Sequence, residues 1–236
     1  MLNSFKIAVS FLTVIPLKNY PDWNNNNLKY FCAVIPFIGL IIGGCWLIIL
    51  FALKFINVSE ILKGCLMTLF SLILTGGLHI DGLIDSCDAI FSRKDINERL
   101  KILSDVHAGS FGVCGCAMIL ILKSALFSEI KFNPEIFLIP FNSRLGMAVL
   151  LNYLPFAKSN GLAKILGSAR DKSHLKYFAA YIILAGVLNI KLLILNLIVY
   201  MIWRRCCMKN FNGITGDLLG AYVEISEVIF LFVLCI

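Results

Sequence analysis

Apolar residues in this chain gather into long runs rather than alternating with polar ones. The runs are Phe31–Phe55, Ile61–Ile80, Phe111–Phe127, Pro134–Leu154, Tyr177–Trp203 and Leu218–Ile236. A helix needs about 20 mostly apolar residues to cross a hydrocarbon core of about 30 Å, and several of these runs reach that length. In lipid a spanning backbone must satisfy its own hydrogen bonds, which forces helix, and the absence of period-2 strands excludes a membrane β-barrel. The pattern therefore predicts an all-α fold, a polytopic integral membrane helical bundle of about six to seven transmembrane helices. No internal repeat, linker or soluble segment divides it, so residues 1–236 read as one domain. Met1–Leu17 carries Lys6 and a short apolar stretch interrupted by Ser10 and Thr13, with no small-residue cleavage site. It reads as an interfacial amphipathic helix within an N-terminal segment, 1–30, rather than as a signal peptide.

The run Tyr177–Trp203 departs from the others because Asn189–Lys191 interrupts it. Each piece has about 12 residues and spans roughly 18 Å as helix, short of the hydrocarbon thickness. A single crossing here would also carry Arg204 and Arg205 to the outer face and separate Asp217 from Asp81. The sequence thus predicts a break near Asn189–Lys191 and two short or tilted helices that return the chain to the cytoplasmic side; the alternative is one long tilted helix, with Asp217 reaching the site from mid-membrane.

Composition supports this picture. Hydrophobic residues make up 59% and charged residues 15% of the chain, where a soluble domain would be nearer half and a quarter; the mean hydropathy is +0.88. The net charge of +7 resides largely in short loops, with Lys158, Lys164, Arg170, Lys172 and Lys176 in one and Arg204, Arg205 and Lys209 in another. That is the mark of a cytoplasmic face. No basic patch interleaves with aromatics, which argues against a nucleic-acid partner. Nine cysteines occur without a CxxC pair, and in apolar helices cysteine behaves as a small hydrophobe.

The candidate chemistry lies in the most charged stretch. Asp81, Asp85 and Asp88 follow Gly76-Gly77-Leu78-His79, and on a helix these i, i+4 and i+7 positions fall within about 60° of one another. Three carboxylates on one face, abutting an apolar run, repel one another and are costly to keep ionised. Oxygen-only ligands suit a hard cation, and Mg2+ bound jointly by carboxylates and substrate phosphates would justify the stripe. A solvated acidic face paired with Arg93, Lys94 or Arg99 is the plainer alternative. A second polar cluster comprises Thr215, Asp217, Glu224 and Glu227, with Asp217 and Glu224 on one face of the closing helix. His79 and His107 flank the acidic stretch, and Asp105 lies beside it. Arg144, in an apolar run, needs an anionic partner, either a phosphate or one of these carboxylates. Gly109-Ser110-Phe111-Gly112 reads as a helix entry lining the site with backbone N–H groups.

Taken in order, these blocks resemble the cobalamin synthase family, the adenosylcobinamide-GDP ribazoletransferases. The resemblance runs the length of the chain: Phe11-Leu12-Thr13 with Ile15-Pro16; Gly77-Leu78-His79-Ile80-Asp81-Gly82-Leu83 with Asp85 and Asp88; Ser104-Asp105 and Gly109 to Val113; Ser143-Arg144; Leu154 to Ala157 with Gly161-Leu162; and Gly213 to Asp217 with Gly220-Ala221, Glu224 and Glu227. Ala89 departs from the glycine typical there. The resemblance implies a transferase of the cell (inner) membrane whose site faces the cytoplasm. It joins adenosylcobinamide-GDP to α-ribazole or its 5′-phosphate, releases GMP and completes the nucleotide loop of cobalamin. Asp81, Asp85 and Asp88 would hold Mg2+, with Asp85 or Asp88 acting on the ribose hydroxyl. Asp217 would be a further catalytic acid, and His79, Arg93, Asp105, His107, Arg144, Glu224 and Glu227 would serve the substrates. The expected partners are these small molecules and membrane lipid; the oligomeric state is left open. Two competing readings are a CDP-alcohol phosphatidyltransferase, whose Asp-Gly is followed by Ala-Arg where this chain has Leu83-Ile84, and a cation transporter, whose repeated broken halves are absent.

Overall fold

The computed structural model describes residues 1–18, 21–168 and 170–236. Asn19 and Tyr20 of the N-terminal segment and Ala169 of the basic loop lie outside the described residues. Among the described residues twelve α-helices follow one another: α1 (Leu2–Leu12), α2 (Asn25–Leu28), α3 (Phe31–Ala52), α4 (Glu60–Leu74), α5 (Leu78–Phe91), α6 (Ile96–Ile102), α7 (Ser110–Glu129), α8 (Leu138–Tyr153), α9 (Leu162–Leu166), α10 (Leu175–Leu188), α11 (Ile190–Phe211) and α12 (Gly216–Cys235). Among the described residues there is no β-strand, only an isolated bridge between Phe156 and Ile214. The all-α membrane bundle expected from the apolar runs is what the chain forms.

Helix length and composition do not by themselves confirm the six to seven spans expected. Among the described residues, four helices (α3 with its short 3-10 extension, α7, α8 with the 3-10 turn before it, and α12) are long and apolar enough to cross a membrane, or five if α4 and α5 together count as one. Two of the runs are broken, each for a local reason. The second folds at Gly76-Gly77, where α5 leaves α4 at 94°. Both glycines have left-handed φ, 62° and 71°, a region that a Cβ disfavours. Gly77 N–H donates to Leu72 O at 3.1 Å and Gly76 N–H to Ile73 O at 3.0 Å, the paired bonds of a Schellman helix end. The fifth run breaks at Asn189, as its polar interruption predicts. Asn189 is extended (φ −158°, ψ 98°) and its side chain accepts from Leu192 N–H, starting α11. Its amide also donates to Glu135 at 2.9 Å, tying the break to the start of α8.

These contacts define two ends of the bundle. At one end lie the Asn189–Glu135 bond, Lys63 on Ile130 O and Lys54 over the Phe132 ring. At the other end, Arg99 bonds Asn210, Lys158 bonds Ser104 at 2.7 Å, and Ala157 N–H donates to Ile214 O at 2.9 Å. Helices α10 and α11 therefore form a hairpin that leaves the second end and returns to it. The expected pieces of about 12 residues each are unequal, however: α10 has 14 residues and α11 has 22, continuing past Trp203 to Phe211. Helix α1, at 11 residues, is about 16 Å long and too short to span. It buries Ile7, Ala8, Val9 and Leu12 and sets Phe5 against Phe37 of α3 at 5.9 Å.

The core runs along α3, α8 and α12, with Ile38, Ile42, Phe141, Leu218, Phe230 and Leu231 fully enclosed. Buried polar groups there close on one another. Tyr222 donates to Asn196 at 2.7 Å, and Asn196 donates to the Asn142 carbonyl at 2.9 Å, linking α12, α11 and α8. Each bond satisfies a group that would be costly to bury alone.

Candidate active site

The bend at Gly76-Gly77 lays α5 against α12 and α7. The contact with α12 is close enough to dictate sequence: a Cβ on Gly82 would stand 2.7 Å from Asp217 O and 2.8 Å from Asp217 Cα. Only glycine permits this approach, which brings the first turn of α12 beside the acidic face of α5. Thr215 caps α12, accepting from Leu218 N–H at 3.3 Å, and donates to the Asp217 carboxylate at 3.2 Å. Asp81, Asp85 and Asp88 lie on one helix, as their spacing predicts. Asp85 is within electrostatic range of Asp217, Asp81 and Asp88, and Lys158 is the compensating cation in range. Lys158 is held in place by its bonds to Ser104 Oγ and Leu103 O. Asp81, Asp217, His79 and Lys158 line one cavity of about 230 Å³ between α1, α3, α5, α8, the loop before α10 and the start of α12.

The third acid behaves differently. Asp88 accepts from Gly109 N–H at 2.7 Å through one carboxylate oxygen and from Gly112 N–H at 2.9 Å through the other. A Cβ on either glycine would come within 2.5 Å of that carboxylate. Gly109 to Gly112 is the helix entry that the sequence predicts, but these two N–H groups are spent on Asp88, which caps the positive end of α7. Among the described residues, no three His, Cys, Asp or Glu side chains are already gathered as a metal cage.

Other candidate residues lie apart from the cavity. Arg93 is exposed, with φ 58°, after the last turn of α5. Asp105 and His107 bond each other at 2.8 Å on an exposed loop, and that bond holds the Asp105 carboxyl below its ordinary range. Arg144, Glu224 and Glu227 do not line the cavity. They are 1%, 4% and 1% exposed and form one ionic network with Lys123, which is 2% exposed. Lys123 Nζ bonds Glu224 at 2.8 Å and Glu227 at 2.6 Å, and Arg144 pairs with the other oxygen of Glu227 and with Ser143 at 2.9 Å. Two cations and two anions thus cancel between α7, α8 and α12. The anionic partner that Arg144 requires is a protein carboxylate and not a substrate phosphate. Sequence reasoning passed over Lys123, although a lysine inside Phe111–Phe127 is itself a signal that a buried carboxylate awaits it.

Comparison with known proteins identifies the family. Residues 4–235 match the family described as cobalamin-5-phosphate synthase, CobS. The chain belongs to the cobalamin-5-phosphate synthase family. A relative from Clostridium botulinum (strain Alaska E43 / Type E3), named adenosylcobinamide-GDP ribazoletransferase, is 30% identical over all of this chain and 99% of its own. A second of the same name, from Geobacillus sp. (strain WCH70), is 32% identical over 94% of this chain and 91% of its own. A third, from Clostridium botulinum (strain Okra / Type B1), is 32% identical over 99% of this chain and 98% of its own. No solved structure matches. Membership of a CobS family of cobalamin-biosynthesis transferases agrees with the apolar helices: this is a membrane protein.

Proposed function

We propose that this protein is an adenosylcobinamide-GDP ribazoletransferase, a phosphotransferase that completes the cobalamin nucleotide loop. The observation that carries the reading is that the close Gly82–Asp217 contact brings Asp217 beside Asp81 at one cavity, with Asp85 in electrostatic range of both, in a chain whose residues 4–235 match the CobS family. A ribose hydroxyl of α-ribazole or of its 5′-phosphate attacks the cobinamide-side phosphorus of adenosylcobinamide-GDP. One P–O bond forms, the P–O bond to GMP breaks, and the hydroxyl proton passes to a carboxylate. Asp85 is our assignment for that acceptor. Asp88, the other acid considered for this role, has both oxygens committed to α7. Lys158, at the cavity wall beside these acids, is placed to neutralise a phosphate oxygen.

The donor set fits a hard divalent cation. Magnesium commonly takes one or two carboxylates and completes its shell with phosphates and water, so a full protein cage is not required. Asp81 and Asp217 would hold it, and when bound it neutralises the diphosphate and the departing GMP. The site end carries Arg93, Lys94, Arg99, Lys101, Lys158, Lys164 and Lys209, whereas the lysines at the opposite end, Lys54, Lys63, Lys131 and Lys191, are fewer and stand among Glu60, Glu129 and Glu135. This asymmetry supports a site that faces the cytoplasm, in keeping with a transferase of the cell (inner) membrane. The test is GMP release by purified protein in proteoliposomes supplied with adenosylcobinamide-GDP and α-ribazole or its 5′-phosphate. Release that requires added magnesium or manganese is the expected result. Absence of GMP in the presence of both substrates and metal would refute the activity, and full turnover in excess chelator would refute the metal.

A further inference from the structure

The cavity beside the acids has a composition that the reaction as written leaves unexplained. Its deep wall is apolar and enclosed: Phe31, Ile35, Met147, Leu151 and Leu166 are each at most 5% exposed. The charged members stand at its opening, where Asp81 and Lys164 are exposed and Lys158 and Asp217 are half-buried. Phosphoryl transfer needs the charged rim; it gives no reason for a sheltered apolar recess behind it. Phe11 and Phe31 present neighbouring rings, with centroids 6.4 Å apart, and such aromatic surface favours a flat ring as its neighbour. Two buried polar residues line the same cavity: Thr215, whose hydroxyl is bonded at the start of α12, and His79, 2% exposed, whose Nε2 is buried without a hydrogen-bond partner among the described residues. A buried polar atom left unpaired is costly, and it marks a place where a ligand can supply what the protein does not.

Size and chemistry discriminate among the groups the two substrates carry. A volume of about 230 Å³ lies below the usual range for drug-sized ligands, about 300–1,000 Å³. A corrin macrocycle with its amide side chains is therefore far too large. Guanine is small enough, but its edge carries several donors and acceptors that the apolar wall would leave unpaired. The base of α-ribazole is a fused benzene–imidazole ring with apolar faces and edge and a single free ring-nitrogen acceptor. It suits the wall, and that nitrogen is a partner for the His79 N–H. Seated base inward, the nucleoside would leave its ribose at the rim, where the acids are.

We infer that this cavity is the nucleoside subsite, holding the benzimidazole-type base of the acceptor substrate, with Met147 and Leu151 setting the size of base it admits. The assignment rests on the ribazoletransferase reading. Met147 and Leu151 are four apart on α8 and face the cavity together, so a change of volume at either is felt by the base and by neither the corrinoid nor the diphosphate. Differences of a methylene or two in an apolar pocket change discrimination by roughly 10- to 200-fold.

The test compares wild type, Leu151→Phe and Leu151→Ala in GMP-release kinetics with each substrate varied in turn. Leu151→Phe should raise KM for α-ribazole by about tenfold or more, leaving KM for adenosylcobinamide-GDP within about twofold of wild type. Leu151→Ala should gain activity, measured as kcat/KM, on a nucleoside whose benzimidazole bears bulkier substituents, a readout that a merely destabilised protein does not give. In the absence of adenosylcobinamide-GDP, α-ribazole should raise the melting temperature of wild type and not that of Leu151→Phe. A rise in KM for adenosylcobinamide-GDP instead, or a Leu151→Ala variant with no gain on bulkier bases, would overturn the subsite. A wild-type protein that releases no GMP would instead overturn the ribazoletransferase reading beneath it.

Discussion

Replacing Lys123 by methionine removes the ammonium to which Glu224 is bonded, deep inside the bundle. Lys123 bonds Glu224 at 2.8 Å and Glu227 at 2.6 Å, while Arg144 pairs with Glu227. In the single variant Glu227 keeps Arg144, but Glu224 becomes a buried carboxylate without its cation. Breaking a buried pair from one side costs about 3–5 kcal/mol, because the remaining charge stays desolvated. The double variant Lys123→Met/Glu224→Gln removes one charge of each sign and leaves Arg144 with Glu227. Replacing both members of a buried pair is often close to neutral, so the double variant should recover to within about 2 kcal/mol of the parent. Unfolding free energies from SDS titration in mixed micelles would give the cycle, and its coupling energy should be of the order of 2–3 kcal/mol. If Lys123→Met costs under about 1 kcal/mol, or if the double loss equals the sum of the two single losses, the four side chains do not act as one ionic network.

Other expectations follow from the site. Asp85→Asn should abolish GMP release while the protein remains folded in membranes, whereas Asp88→Asn, which can still accept at α7 through its amide oxygen, should retain measurable turnover and lose about 1 kcal/mol of stability; equal inactivation without loss of stability would place Asp88 in the chemistry. Gly82→Ala drives a methyl into the Asp217 backbone, 2.7 Å away, so it should separate α5 from α12 and reduce kcat by about 10²-fold; a near-normal rate would show that the two acidic segments need not touch. Cysteine placed at Lys209 and at Asp105 should be labelled from the same face of the membrane, because α10 and α11 form a hairpin; labelling from opposite faces would exclude it.

Local rules made several features legible in the sequence. The apolar runs gave helices, and the polar interruption at Asn189–Lys191 marked the break in the fifth run, where the Asn189 side chain caps the next helix. The acidic stripe was equally readable, since 81, 85 and 88 share a face on any helix. The motif blocks that carry the family resemblance, from Phe11-Leu12-Thr13 to Glu227, proved to span a chain that matches that family over residues 4–235.

What tertiary structure decided is where each polar group finds its partner. The spacing of three acids cannot reveal that Asp88 turns to Gly109 and Gly112, 21 and 24 residues away, while Asp217 comes up beside Asp81 and Asp85. Nor can it reveal that Arg144 is satisfied by Glu227, 83 residues along the chain. The sense of the Gly76-Gly77 bend, which brings Gly82 against Asp217, depends on packing against α12 rather than on the glycines themselves. Periodicity reports the environment of a residue along its own helix. Pairing between buried charges is set by which helices pack together, and the low-polarity interior makes that choice nearly compulsory, because each ion left alone there costs several kcal/mol.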